Sequence, residues 1–186
     1  MKPLQIASGS VAAVARSDRH GFSKTVIDGV HIIQNHGVEG DAHAGETVKH
    51  RSRVAVDPEQ PNLRQVHLIH CELFADLAAD GFDIVPGELG ENITTRGIDL
   101  LGLPRHTILC IGETVKLEVT GLRNPCRQIE AHAPGLLAKV VRKRADGSLE
   151  RLAGIMTIVV QGGTVQPGDT ITAELPPEPY LPLERV

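Results

Sequence analysis

Aromatic residues are nearly missing from this 186-residue sequence, which has three Phe, one Tyr and no Trp. Stacking platforms for single-stranded nucleic acid are therefore all but excluded, and the core must be built from Val, Ile, Leu and Ala. An excess of positive charge is lacking too. Nineteen Lys and Arg against 23 Asp and Glu leave a net charge of −4, so no global field attracts a phosphate backbone. The short basic stretch Arg142-Lys143-Arg144 reads as a solvated face, and nucleic acid is not an expected partner. No apolar run approaches the length of a membrane span, and the start Met1 to Ile6 lacks the apolar core and small-residue cleavage site of a signal peptide. A cytoplasmic protein without a membrane partner is expected. Cysteine is scarce: Cys71, Cys110 and Cys126 are widely spread without CxxC spacing. That pattern speaks against a disulfide framework and against a four-thiolate zinc site. No P-loop, GxGxxG, GxSxG or HExxH pattern occurs.

What is present suits one globular domain spanning 1–186, with 41% apolar and 23% charged residues. Strands are expected at Leu4 to Gly9 with a continuation over Val11 to Ala15, at Val30 to Ile33, Val66 to Ile69 and Ile93 to Thr95. Others follow at Thr107 to Ile111, Val115 to Val119, Gly154 to Val160 and before Leu175. Helical spacing of Leu73, Phe74, Leu77 and Ala78 predicts a helix from about Cys71 to Ala79, stopped by Asp80-Gly81. A second helix is expected over Gly135 to Arg142, and Arg123 to Arg127 reads as a loop. Many short strands between glycine turns, with few short helices, make the fold class mainly β, a closed or partly closed barrel. Prolines in the tail 176–186 each remove a backbone donor, which predicts an extended arm.

Cys126 is the residue best placed for chemistry. It follows a strand and Pro125, with Arg123 and Arg127 on either side, and nearby positive charge favours the thiolate, the form that attacks or binds soft metals. Cys110 lies in an apolar run and Cys71 opens a helix, so both read as core. Asp41 and His43 stand two apart among glycines. If extended, they share one pocket wall and open a hard-metal site with His36, His50, His67 or His70; otherwise they form an Asx-turn with a surface histidine. In the loop from Gly87 to Asn92, Asn92 and the backbone of Gly90 and Glu91 are suited to hydrogen-bonding a polar heterocycle.

Taken in order, Gly40-Asp41-Ala42-His43-Ala44-Gly45, Arg64-Gln65-Val66-His67-Leu68-Ile69, Gly87-Glu88-Leu89-Gly90-Glu91-Asn92-Ile93 and Arg123-Asn124-Pro125-Cys126 resemble the MOSC family. This is the fold of the C-terminal domain of molybdenum-cofactor sulfurases. The closing run Val165 to Ile171 also fits, so the resemblance spans about 30–173. It implies a MOSC-type β-barrel with a molybdenum cofactor (molybdopterin) pocket, in which Cys126 ligates molybdenum or carries sulfur as a persulfide. It further implies that Asp41, His43, Gly90, Glu91 and Asn92 line that pocket while Arg123 and Arg127 hold the pterin's phosphate. The activity it implies is reduction of small N-hydroxylated compounds with electrons from a separate reductase. The alternative is a carrier of sulfur or cofactor, loaded by a desulfurase; a homodimer is possible on either reading. The cysteine desulfurase domain of full-length sulfurases is absent from the chain. So is the barrel domain that precedes MOSC in amidoxime-reducing relatives, and the insertion 46–63 or a partner is expected to replace its wall.

Overall fold

The computed structural model describes residues 8–47, 57 and 59–186. Its centre is a seven-strand barrel closed in the order β13-β7-β8-β11-β5-β6-β1, with β13 pairing back onto β1. These strands are β1 (Ser8–Arg16), β5 (Val66–His70), β6 (Ile93–Arg96), β7 (Ile108–Ile111), β8 (Val115–Leu122), β11 (Ile155–Gln161) and β13 (Thr170–Glu174). All neighbours are antiparallel except β5 and β6. Closure depends on β1, whose first residues pair with β13 and whose middle pairs with β6. A register shift between Val11 and Ala13 lets one strand bend across both partners. The far end of β1 pairs with the short β2 (Thr25–Ile27).

Side-chain alternation fills the interior. Leu109 and Ile111, Val115, Leu117 and Val119, and Ile171 and Ala173 point inward and are buried. By the same alternation Cys110 points outward, half-buried and within 3.3 Å of Glu174 Oε1, so the expectation of a core cysteine is corrected. Period two, and not the apolar character of its neighbours, decides its side. Cys71 is only partly buried as well, at the N-cap of α1 (Glu72–Ala79).

A small sheet of β3 (Val30–Ile33), β4 (Gly37–Val38) and β12 (Gly163–Val165) flanks the barrel. A second apolar cluster, including Ile69, Leu73, Leu77, Ile129 and Leu136, lies under α1, α2 (Arg127–His132) and α3 (Leu136–Val140). After α3 comes a hairpin, β9 (Val141–Lys143) and β10 (Leu149–Arg151), where a longer helix was expected: β-branched Val140-Val141 and the turn at Asp146-Gly147 favour strand pairing. The tail is not a free arm. Leu122 N donates to Glu184 O and Val186 N donates to Leu122 O, so the last residues form a strap along the end of β8. Prolines forbid a continuous ladder yet leave Glu184 to Val186 able to pair. The expected start of the first strand at Leu4, His50 and most of the insertion 46–63 lie outside the described residues.

Candidate functional site

One end of the barrel gathers the loop after β1, the turn after β4, the loop before β6 and the segment leaving β8. Asp41 is the hub. Its carboxylate accepts from Lys24 Nζ at 2.8 Å, Asn92 Nδ2 at 3.0 Å, His43 N at 3.0 Å and Ser17 N at 3.3 Å. Burial alone would raise its pKa, but hydrogen bonds from His43 and the Lys24 ammonium outweigh that and hold it well below the usual carboxylate range. The His43 backbone contact is an Asx-turn, so the stretch is not extended. The imidazole is partly buried, its Nδ1 3.4 Å from Asp41, and packs edge-on to His20.

Asn92 is committed to the scaffold: both amide hydrogens are used, on Ala15 O and Asp41, while its oxygen accepts from His67 N. Gly90 is needed for conformation. Its φ is +84°, and a Cβ there would stand 2.5 Å from Phe22 O. His67 is sealed inside, with Nε2 2.8 Å from Ala153 O. Burial, with Arg123 and Lys24 nearby, keeps its pKa well below the ordinary value, so it is neutral at pH 7. No group of three or more His, Cys, Asp or Glu among the described residues is arranged to hold a metal ion.

Glu91 is fully buried. Oε1 accepts from Gly87 N at 2.6 Å and from the Thr94 hydroxyl at 3.1 Å, while Oε2 has no partner among the described residues. Burial raises its pKa, against the pull of those hydrogen bonds. Arg123 is its electrostatic neighbour. The Arg123 backbone N–H donates to Gly154 O at 3.0 Å, and its Nη1 is buried without a hydrogen-bond partner among the described residues. Burial lowers its pKa, and the charges that oppose this belong to Cys126 and Glu91. Lys24 feels Glu91 and Arg123 as well as Asp41; burial is the largest influence on its pKa and lowers it.

Cys126 is the N-cap of α2, in extended conformation and half-buried, with Sγ 3.4 Å from Gln128 Oε1. Of the two flanking arginines, Arg123 is partly buried with its Nη1 fully enclosed, and Arg127, the first residue of α2, is exposed. Lys24 was not anticipated from sequence. It sits in an ordinary polar loop, and its partner Asp41 is seventeen residues on, so nothing local marks it as buried. The assembled site is a buried polar cluster, with an arginine facing an accessible thiol. It can hold an anionic group near a soft sulfur ligand.

A family model described as "MOSC domain" matches residues 36–172. Among solved structures, the chain is similar to the YuaD protein from Bacillus subtilis, with 25% identity and a TM-score of 0.75 over 93% of this chain and 99% of that one. It also shares its fold with YiiM from Escherichia coli, at 17% identity and a TM-score of 0.61 over 92% of this chain and 73% of that one. YiiM from Geobacillus stearothermophilus is similar at 16% identity and a TM-score of 0.59, over 94% and 77%. No match is found among curated proteins.

Proposed function

Because the chain belongs to the MOSC domain family, we propose that its Arg123–Cys126 site binds a molybdenum–pterin cofactor and that the protein reduces N-hydroxylated compounds with electrons from a separate donor protein. The observation that carries this reading is a buried guanidinium nitrogen, Arg123 Nη1, with no hydrogen-bond partner among the described residues, beside a half-exposed thiol. A buried donor left unmatched costs about 1–3 kcal/mol, and an anionic ligand group drawn to that guanidinium offsets the cost. Soft sulfur is a suitable ligand for molybdenum, and guanidinium is suited to a phosphate through paired N–H donors. The donor set therefore fits the cofactor.

In this arrangement the Cys126 sulfur would ligate the metal and Arg123 would hold the anionic portion. Lys24 adds a second buried cation, with Asp41 and Asn92 fixing its position. Glu91, anchored by Gly87 and Thr94, acts as counter-charge to Arg123 and not as a direct contact. When bound, the cofactor supplies a two-electron redox couple. Reduction of an N–OH to N–H consumes two electrons and two protons and releases water. The sequence carries no flavin or iron–sulfur motif, so the electrons enter from outside.

Metal analysis tests the proposal. Protein expressed in a cofactor-competent host should carry molybdenum near one equivalent, and Cys126→Ser should lose most of it with an unchanged melting temperature, since Sγ makes one weak contact. Wild type free of molybdenum, or a serine variant that retains it, would refute the assignment. The half-exposure of Cys126 also favours the sulfur-carrier reading. That reading requires intact mass to show one added sulfur atom on Cys126 after incubation with a desulfurase and its sulfur donor, and an unmodified thiol would exclude it.

A further inference from the structure

A groove of about 650 Å³ opens on the other side of Leu122, between the loop after β6, the β9–β10 hairpin and the C-terminal strap. None of the residues described at the Cys126 site lines it. Its lining is consecutive along three segments, of which Leu149–Arg151 and Tyr180–Arg185 form the two facing walls and 101–104 the third. Neighbouring residues of an extended chain point to opposite sides, so a wall using every residue of a segment is a backbone edge and not one strand face. The outer edge of β10 has no backbone partner, although Leu149 O accepts from the Arg151 guanidinium at 3.4 Å; on the strap Leu181 O is taken by Arg105 N at 2.9 Å, and the open position is Arg185. β10 pairs only with β9, and the Arg144 N to Ser148 O bond sets the ladder so that Glu150 exchanges bonds with Arg142. The N–H and C=O of Leu149 and Arg151 are then directed to the open side. On the strap, the bonds of Glu184 and Val186 to Leu122 leave the N–H and C=O of Arg185 directed away from β8.

Side chains define the occupant further. Leu149, Tyr180 and Leu181 are 48%, 42% and 50% exposed and lie together along the groove, three of the eight exposed large apolar residues among the described ones. The charge is basic although the chain as a whole is at −4. Arg144, Arg151 and Arg185 line the groove against Glu150 and Glu184, and Glu150 is already held by Arg144 at 3.0 Å. Arg142 and Lys143 add two exposed cations on the same hairpin.

We propose that this groove docks an extended acidic segment of a partner protein, which adds as a strand along β10 and the strap, placing leucine-like side chains on the apolar floor and carboxylates against Arg151 and Arg185. The groove's lining includes Leu122, the residue before Arg123. The proposal does not depend on a cofactor being bound.

The test uses the full chain, without molybdenum, and a dye-labelled peptide of alternating Glu and Leu, beside a control with Lys in place of Glu. At low ionic strength the acidic peptide should bind saturably, weakened roughly tenfold or more by Arg151→Glu with Arg185→Glu. Hydrogen exchange should show new protection at the amides of Leu149, Arg151 and Arg185. Arg185→Glu alone, on an exposed residue, should give a smaller loss in the same direction. Equal binding of the Lys peptide, binding untouched by the charge reversals, or binding without amide protection would overturn the proposal. So would protection that appears only at concentrations where the chain self-associates, which identifies a second copy as the occupant, or displacement of the peptide by a single-stranded oligonucleotide.

Discussion

Gly154→Ala lowers the stability of this protein by about 3–5 kcal/mol, the range reached only by substitutions with a specific steric or charge defect. Gly154 has φ +84°, and a Cβ there would lie 2.0 Å from Leu68 O and 2.7 Å from Ile69 Cγ1. The left-handed conformation alone costs a non-glycine residue about 1–2 kcal/mol. The clash adds more, because Leu68 O belongs to β5 at the centre of the barrel and cannot retreat without disturbing its pairing with β11. For a chain of this length the melting temperature should fall by roughly 6–20 °C. The site feels the same change, since Gly154 O accepts the backbone N–H of Arg123. Denaturant unfolding checks the figure, and a variant within 1 kcal/mol of wild type would show that the 152–154 segment yields freely.

The second large effect is expected from Asp41. Asp41→Ala strands the Lys24 ammonium, whose side chain is 5% exposed, and removal of one member of a buried ion pair costs about 3–5 kcal/mol. Lys24→Met should cost less, because the carboxylate keeps its bonds from Asn92, His43 N and Ser17 N. The double variant should recover part of the loss, with a coupling of about 1–3 kcal/mol. The pH dependence has a definite sign. A carboxylate held below its ordinary pKa by the fold contributes stability that is present above about pH 4 and is lost as pH falls through the folded value. Glu91, raised by burial, acts oppositely: its contribution is present below the unfolded pKa and is lost as pH rises through the folded one. The acid limb of the wild-type stability profile therefore owes more to Asp41, and Asp41→Ala should flatten it. An acid limb of undiminished slope in that variant would exclude Asp41 as its source.

Much of the architecture is legible in the residues. The strands at Val30–Ile33, Val66–His70, Ile93–Arg96 and Val115–Leu122 follow from short apolar, β-branched runs, most of them with glycine close by. The first helix follows from the spacing of Leu73, Phe74 and Leu77. Family membership was legible from four short motifs in order, and the barrel from the excess of short strands over helices. Local pattern was silent on α2, which is six residues long and carries one buried side chain, Ile129, too little for a helical period to show. At the site, Cys126 was legible because its cationic neighbours adjoin it in sequence. Lys24 was not, because its partners Asp41, Glu91 and Arg123 come from three other segments.

By itself, the sequence determined where most strands and turns fall and which thiol stands beside arginine, since these depend on neighbours within a few residues. Only the tertiary structure decided which of the two alternating faces of β7 turns outward with Cys110, that Asp41 bonds to Lys24 and Asn92, that Arg123 Nη1 is buried while Arg127 is exposed, and that the tail is a strap. Those outcomes depend on pairings such as β13 with β1 and Leu122 with Arg185, which join residues 63 to about 160 positions apart. Closing contacts of that span is a property of the whole chain's packing, and no local pattern encodes which of several compatible edges will meet.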